Sequence, residues 1–168
     1  RTSSGIAPYT GAWTKHEVIH LLKRTMFGAK LTDIQHFAGK TMEDAVDELM
    51  NITSPLPEPP VKDYDTAEAQ FPDANVDSGT TWINDHNEDD KIGWLRKQSF
   101  KKWWVGVMLN QPRNIREKMT LFWHNHFATE TIETSPILGY NQMVLLRKNA
   151  LGNFKTFVKD VTFDPNML

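Results

Sequence analysis

The chain contains no cysteine, which excludes a disulfide framework, a thiolate zinc site and a cysteine nucleophile while leaving the redox compartment open. It lacks any apolar run approaching the ~18 residues that span a bilayer, so no transmembrane segment is expected. It lacks a basic excess as well. Nineteen Lys and Arg against 21 Asp and Glu leave a formal net charge of −2, which argues against a nucleic-acid binder of the usual basic kind. Convincing strand alternation and internal repeats are also missing. What is present suits one folded domain. The 168 residues are 39% hydrophobic and 11% aromatic, enough to build a core. The start, RTSSGIAPYTG, has no methionine and reads as trimmed, by loss of a targeting segment or by choice of boundary.

The small net charge hides a sharp division. Residues 55–90 carry ten acidic side chains and one basic, Lys62, whereas residues 91–118 carry eight basic and one acidic, Glu117. An acidic excursion lying against a basic helical face relieves the repulsion in each. A site for a charged partner is the sharper alternative.

Local signals are helical almost throughout. Thr14 with Glu17 makes a capping box ahead of HEVIHLLKRTMFG, where Val18, Leu21, Leu22, Thr25 and Met26 share a face and Gly28 is placed to stop the helix. Thr32 with Gln35 repeats the box. Thr41 caps TMEDAVDELM, whose Met42, Ala45, Val46, Leu49 and Met50 fall at helical spacing. SPLPEPP then removes four backbone donors, and residues 53–88 read as a long polar loop. Helix resumes near Asp89 with Phe100, Trp103, Trp104 and Val107 on one side. Asn114 with Glu117 opens the next. Ser135–Pro136 opens another that Gly152 closes, Asn153 caps one more, and Asp164–Pro165 looks like a further start. The predicted class is all-α, a multi-helix orthogonal bundle with a long proline-rich acidic loop excursion. As one domain, 1–168 divides into first helices (12–52), polar acidic loop (53–88) and aromatic-rich helices (89–168).

Three blocks, HLLKRTMFG (20–28), WWVGVMLNQPRNIREKMTLFWHNHFAT (103–129) and ALGNFKTFVKDVTFDPNML (150–168), resemble the bacterial domain-of-unknown-function family numbered eighteen hundred. The resemblance implies no activity, since that family has none established. It implies a bacterial protein that often carries an export signal and continues past this point into a block like N-E-N-x-A-R-E-L. The chain is accordingly expected to be the N-terminal part of a larger extracytoplasmic protein, periplasmic, cell-surface or secreted.

Candidate chemistry starts with His124 and His126 in TLFWHNHFATE. Two residues apart on a helix, they point about 200° away from each other and cannot chelate one ion together. His126 is expected to continue the stripe of Ile115, Met119, Phe122 and Trp123, with His124 roughly opposite, near Leu121 and Lys118. Each is either packed or a separate ligand or proton carrier in a pocket completed by other elements. HEVIH (16–20) matches H-E-x-x-H, so His16 and His20 could hold zinc with Glu17 as general base. Against it, Glu17 already serves the capping box, and Lys23 and Met26 stand where the extended pattern wants glycine and histidine. DHNEDD places Asp85, Asn87 and Asp89 at positions 1, 3 and 5 of a calcium loop. Asp90 and Arg96 at positions 6 and 12 reject an EF-hand, leaving an irregular calcium site or helix-start acids as the readings. Trp82, alone in the polar loop, could stack a sugar, while Trp103, Trp104 and Trp123 have core spacing. Arg116, a catalytic candidate, and Arg147 could each bind an anion, with interhelical pairing the default.

The leading expectation is a helical module acting with the C-terminal remainder of its protein or with another envelope protein. The alternative is a metal-dependent hydrolase built on the histidines, with zinc or calcium as the metal.

Overall fold

The computed structural model of the chain describes residues 8–66, 72–129 and 134–168, so Glu68 of the acidic run and the first seven residues lie outside the described residues. The first helix, α1 (Lys15–Thr25), begins at the predicted capping box. The Thr14 hydroxyl accepts from His16 N at 3.3 Å, and Thr14 N donates to Glu17 Oε2 at 3.1 Å. Val18, Leu22 and Met26, four apart, are buried on one face. The helix ends at Thr25, about one residue before a Gly28 stop implies. Met26 is already extended and its N–H donates to Leu22 O, so the side chain turns inward as the chain leaves. α2 (Leu31–Ala38) exists as predicted but is capped elsewhere: Asp33 N and Ile34 N both close on Lys30 O, placing Thr32 inside the first turn. α3 (Met42–Met50) is capped by Thr41, whose hydroxyl accepts from Asp44 N.

Ala45 and Leu49 of α3 join Val18, Leu22, Met26, Ile34 and Phe37 in a first apolar cluster. Val46 and Met50, from the same predicted stripe, remain outside it and exposed.

Residues 51–89 contain an isolated antiparallel bridge, Val61 with Thr81, and no strand among the described residues. Much of this segment is packed rather than solvated. Trp82 and Val76 are buried in the second apolar cluster, which corrects the sugar-platform reading of Trp82. Its indole Nε1 donates to Ser99 Oγ at 3.2 Å, and Ser99 Oγ donates to Val61 O at 2.8 Å. The Arg96 guanidinium lies 5.9 Å from the Trp82 ring and pairs with Asp73 (2.5 Å) and Asp85 (2.6 Å). Lys102 reaches Asp63 at 3.2 Å. The acidic segment therefore lies on the basic face of the following helix, as its charge division implied.

That helix is α4 (Asp90–Leu109), followed by α5 (Arg116–His126), α6 (Pro136–Lys148) and α7 (Phe154–Thr162). Asp89, Ser135 and Asn153 cap α4, α6 and α7 with side-chain acceptors, and Pro136 occupies the first turn of α6. α6 is central, packing on α4, α5 and α7. Its Tyr140, Met143 and Leu146 meet Phe100, Phe157 and Val161 in the second cluster, with Trp103, Trp104, Trp123 and Phe127 against it. The fold is all-α. After α7, Asp164 starts a hydrogen-bonded turn rather than a helix: Asp164 Oδ1 accepts from Asn166 N, and Asn166 Nδ2 donates to Gln142 and Thr129.

A polar seam joins the two clusters. Ile115 N donates to Leu49 O at 2.9 Å, Arg113 Nε pairs with Asp33 at 2.8 Å, and the Lys118 ammonium sits 4.5 Å over the Phe27 ring. The start of α5 lies on this seam.

Candidate functional site

α5 buries a polar face. Arg116, Glu117 and Thr120 are its buried residues, while Phe122 is 53% exposed. The predicted inward stripe through Ile115, Met119 and Phe122 is therefore rotated. In this orientation the buried Glu117 is paired with Arg147 of α6, as a carboxylate taken out of water must be.

Glu117 does not complete a capping box with Asn114. Asn114 Oδ1 accepts from Arg116 N at 3.1 Å, but Ile115 is the N-cap and the Glu117 carboxylate turns to α6. There Arg147 Nε donates to both its oxygens, at 2.9 and 3.0 Å, with each side chain 1% exposed. The Arg147 guanidinium also lies 4.8 Å from the Trp103 ring, a cation–π contact that orients its plane. Arg116 Nη1 donates to Ser54 O, and Nη2 donates to Ser54 Oγ and Pro55 O, tying the segment after α3 to α5. Burial pushes the Arg116 pKa down and Arg147 adds to this, while Glu117, 3.9 Å from Arg116, opposes it. Two guanidinium groups thus share one buried carboxylate. Beside them is a cleft of about 360 Å³ lined by Ile52, Leu56, Arg116, Arg147, Lys148 and Leu151, with Gly152 at its edge.

At the other end of α5 the two histidines separate, as helical geometry requires. His124 packs its ring edge-on against Trp104 at 4.9 Å, and its Nδ1 is buried without a hydrogen-bond partner. Burial holds its pKa below the ordinary value and keeps it neutral. His126 is the exposed one, stacked on Phe122 at 6.3 Å and edge-on to Phe127 at 4.8 Å. The predicted assignment of His126 to the inward stripe and His124 to the opposite side is thus reversed, for the same rotation of α5. Trp123 stacks on Phe154 at 5.7 Å and meets Phe122 edge-on at 4.8 Å. Phe122, Trp123, His126 and Phe154 thereby form one aromatic surface, with both phenylalanines more than half exposed.

His16 and His20 border a cleft of about 590 Å³ with Tyr9, Trp13, Leu21, Met42 and Val46, walls that are mainly apolar. His16 Nδ1 lies 3.2 Å from Glu17 Oε1, and the Thr14 hydroxyl leads the contacts that hold the Glu17 carboxyl down to about 2. So weak a base is poorly matched to proton abstraction near neutral pH. Asp85 faces Arg96, Asn87 Oδ1 accepts from Asp89 N at 2.9 Å, and Asp89 Oδ1 accepts from Lys91 N and Ile92 N. These acceptors serve the start of α4. Among the described residues, no group of three or more His, Cys, Asp or Glu is arranged to hold a metal ion.

The sequence does not announce the Glu117–Arg147 pair as a site. Its one signal there is a glutamate alone in the basic stretch 91–118, which local spacing relates to Asn114.

No curated protein and no solved structure compared with the chain matches it. A family model described as "Protein of unknown function (DUF1800)" matches residues 20–168. The match takes in all three sequence blocks, both ends of α5 and the Glu117–Arg147 pair, and the chain belongs to that family.

Proposed function

We propose that this chain is a helical module that works by packing against a second polypeptide surface, the remainder of a larger protein or an envelope partner, outside the cytoplasm. The observation that carries the reading is the aromatic surface where α5 ends and α7 begins. Phe122 is 53% and Phe154 54% exposed, with Trp123 stacked between the two helices and His126 beside it. Phe163, at 79%, adds an exposed apolar side chain after α7. Aromatic groups with a polar rim are the usual anchors of protein interfaces. The extracytoplasmic setting rests on the habit of the family's members to carry export signals. No helix among the described residues is long and apolar enough to cross a membrane.

Hydrogen exchange, compared between the isolated chain and the chain within its larger assembly, tests the reading. Protection gained at the last turn of α5 and the first turn of α7, and lost in a Phe122→Glu, Phe154→Glu double variant, is the expected result. Unchanged exchange there refutes it. Concentration-dependent dimerisation dispersed by the same double variant would replace the partner with a second copy of the chain.

A further inference from the structure

Arg147 has more hydrogen-bonding capacity than the fold uses. Its side chain is 1% exposed and its Nε is held by Glu117, yet Nη1 and Nη2 are both buried without a hydrogen-bond partner. Arg116 is similar on a smaller scale. Its Nη atoms are held by the 54–55 segment, and its buried Nε, 3.9 Å from Glu117 Oε1, has no hydrogen-bond partner. A guanidinium stays charged at any ordinary pH and presents its donors in a fixed plane. Buried donors of this kind are nearly always paired in native proteins. The charges do not balance either: Arg116 and Arg147 face the single carboxylate of Glu117, an excess of one positive charge. Exposed Lys148, lining the same cleft, adds another, and no carboxylate lines that cleft.

We propose that the cleft between the 52–56 segment and the end of α6 binds an oxyanion, the carboxylate or phosphate group of a small organic molecule. The two Nη groups of Arg147 form a fork that matches two oxygens of such a group. Trp103 holds the guanidinium plane, Arg116 Nε supplies a further donor, and Lys148 adds attraction from the exposed side. Ile52, Leu56 and Leu151 form apolar walls suited to the carbon part of the ligand, and about 360 Å³ accommodates a small one. The site joins the segment after α3 to α5 and α6, so an anion there would tie the seam between the two apolar clusters. It does not depend on the aromatic docking surface.

The test is thermal unfolding and calorimetric titration with inorganic phosphate and with acetate, each against sodium chloride at equal ionic strength. A saturable rise in Tm that chloride does not reproduce is expected. A stronger response to phosphate assigns a phosphate ligand, and a stronger response to acetate a carboxylate. Lys148→Met weakens binding about tenfold, the loss of one charged contact. Leu151→Trp fills the cleft without touching a charge and abolishes the response. Arg147→Lys keeps a cation beside Glu117 but loses the fork, and abolishes it too; should that variant fail to fold, the Lys148 and Leu151 variants decide. A rise shared by chloride, one that never saturates, or one unaffected by Leu151→Trp overturns the proposal. So does an absence of response to every anion, which would mean that water alone meets these donors.

Discussion

Glu117 is the residue on which the charge balance of the second half turns. Both hydrogen bonds to its carboxylate come from Arg147 Nε, and Arg116 is 3.9 Å away. Glu117→Gln leaves two buried guanidinium groups without a counter-charge and is expected to cost about 3–5 kcal/mol, read from urea unfolding midpoints at constant m. His124 yields a pH prediction. Its folded pKa lies below the unfolded value because of burial, so the unfolded chain binds the proton first as pH falls through about 6.5. Stability is therefore lost on going from pH 7 toward pH 5. His124→Phe keeps an aromatic ring against Trp104 and should flatten that part of the profile; an unchanged slope in urea melts at the two pH values would show that His124 is not its source. At this scale the sequence offered candidates without assignments. Arg116 and Arg147 read from the sequence as anion binders or interhelical partners, and in the structure Arg147 is a partner with donors left over. Glu117 was misassigned because its i, i+3 relation to Asn114 is visible locally, whereas Arg147 lies thirty positions along the chain.

At the scale of elements, the caps were the most legible feature. Thr14, Thr41, Ser135 and Asn153 each accept from a first-turn N–H where the pattern placed them, and Asp89, read only as lying at a helix start, caps α4 in the same way. Asp89→Ala is expected to cost about 1 kcal/mol through α4. Because the Asp89 and Asn87 acceptors are engaged by backbone N–H groups, equimolar calcium or zinc should leave Tm unchanged. Stoichiometric metal in protein purified without chelators, lost on His20→Ala, would restore the hydrolase reading. The faces of the elements were less legible than their ends. α3 leaves Val46 and Met50 exposed and α5 turns Phe122 and His126 outward. A spacing rule identifies a stripe, but the neighbouring element determines whether it is covered.

For the molecule as a whole, the acidic segment and α4 form one electrostatic unit around Arg96, with Trp82 beneath it. Burial alone would raise the Asp73 pKa; the hydrogen bonds from Arg96 and Tyr64 outweigh it and hold the carboxyl below its ordinary value. A depressed carboxylate stabilises the fold above its unfolded pKa of about 3.9, and that contribution disappears as pH falls through the folded value. Acid unfolding should therefore steepen below about pH 4, and Asp73→Asn should remove part of that slope; far-UV circular dichroism against pH checks it. The same unit explains why Trp82, in a stretch rich in proline and acids, is fully buried rather than displayed. Its partners Ser99 and Arg96 lie on the following helix, and they are reached only when the segment folds back.

What the sequence determined by itself was the helical class, most helix starts and the separation of His124 from His126. Each follows from interactions within about four residues, which the order of residues specifies directly. Tertiary structure decided which face of α5 is buried, which arginine meets Glu117, and which of its buried donors are left without a hydrogen-bond partner. Those outcomes depend on groups tens of residues apart, because a carboxylate can be buried only where a partner such as Arg147 is brought to meet it.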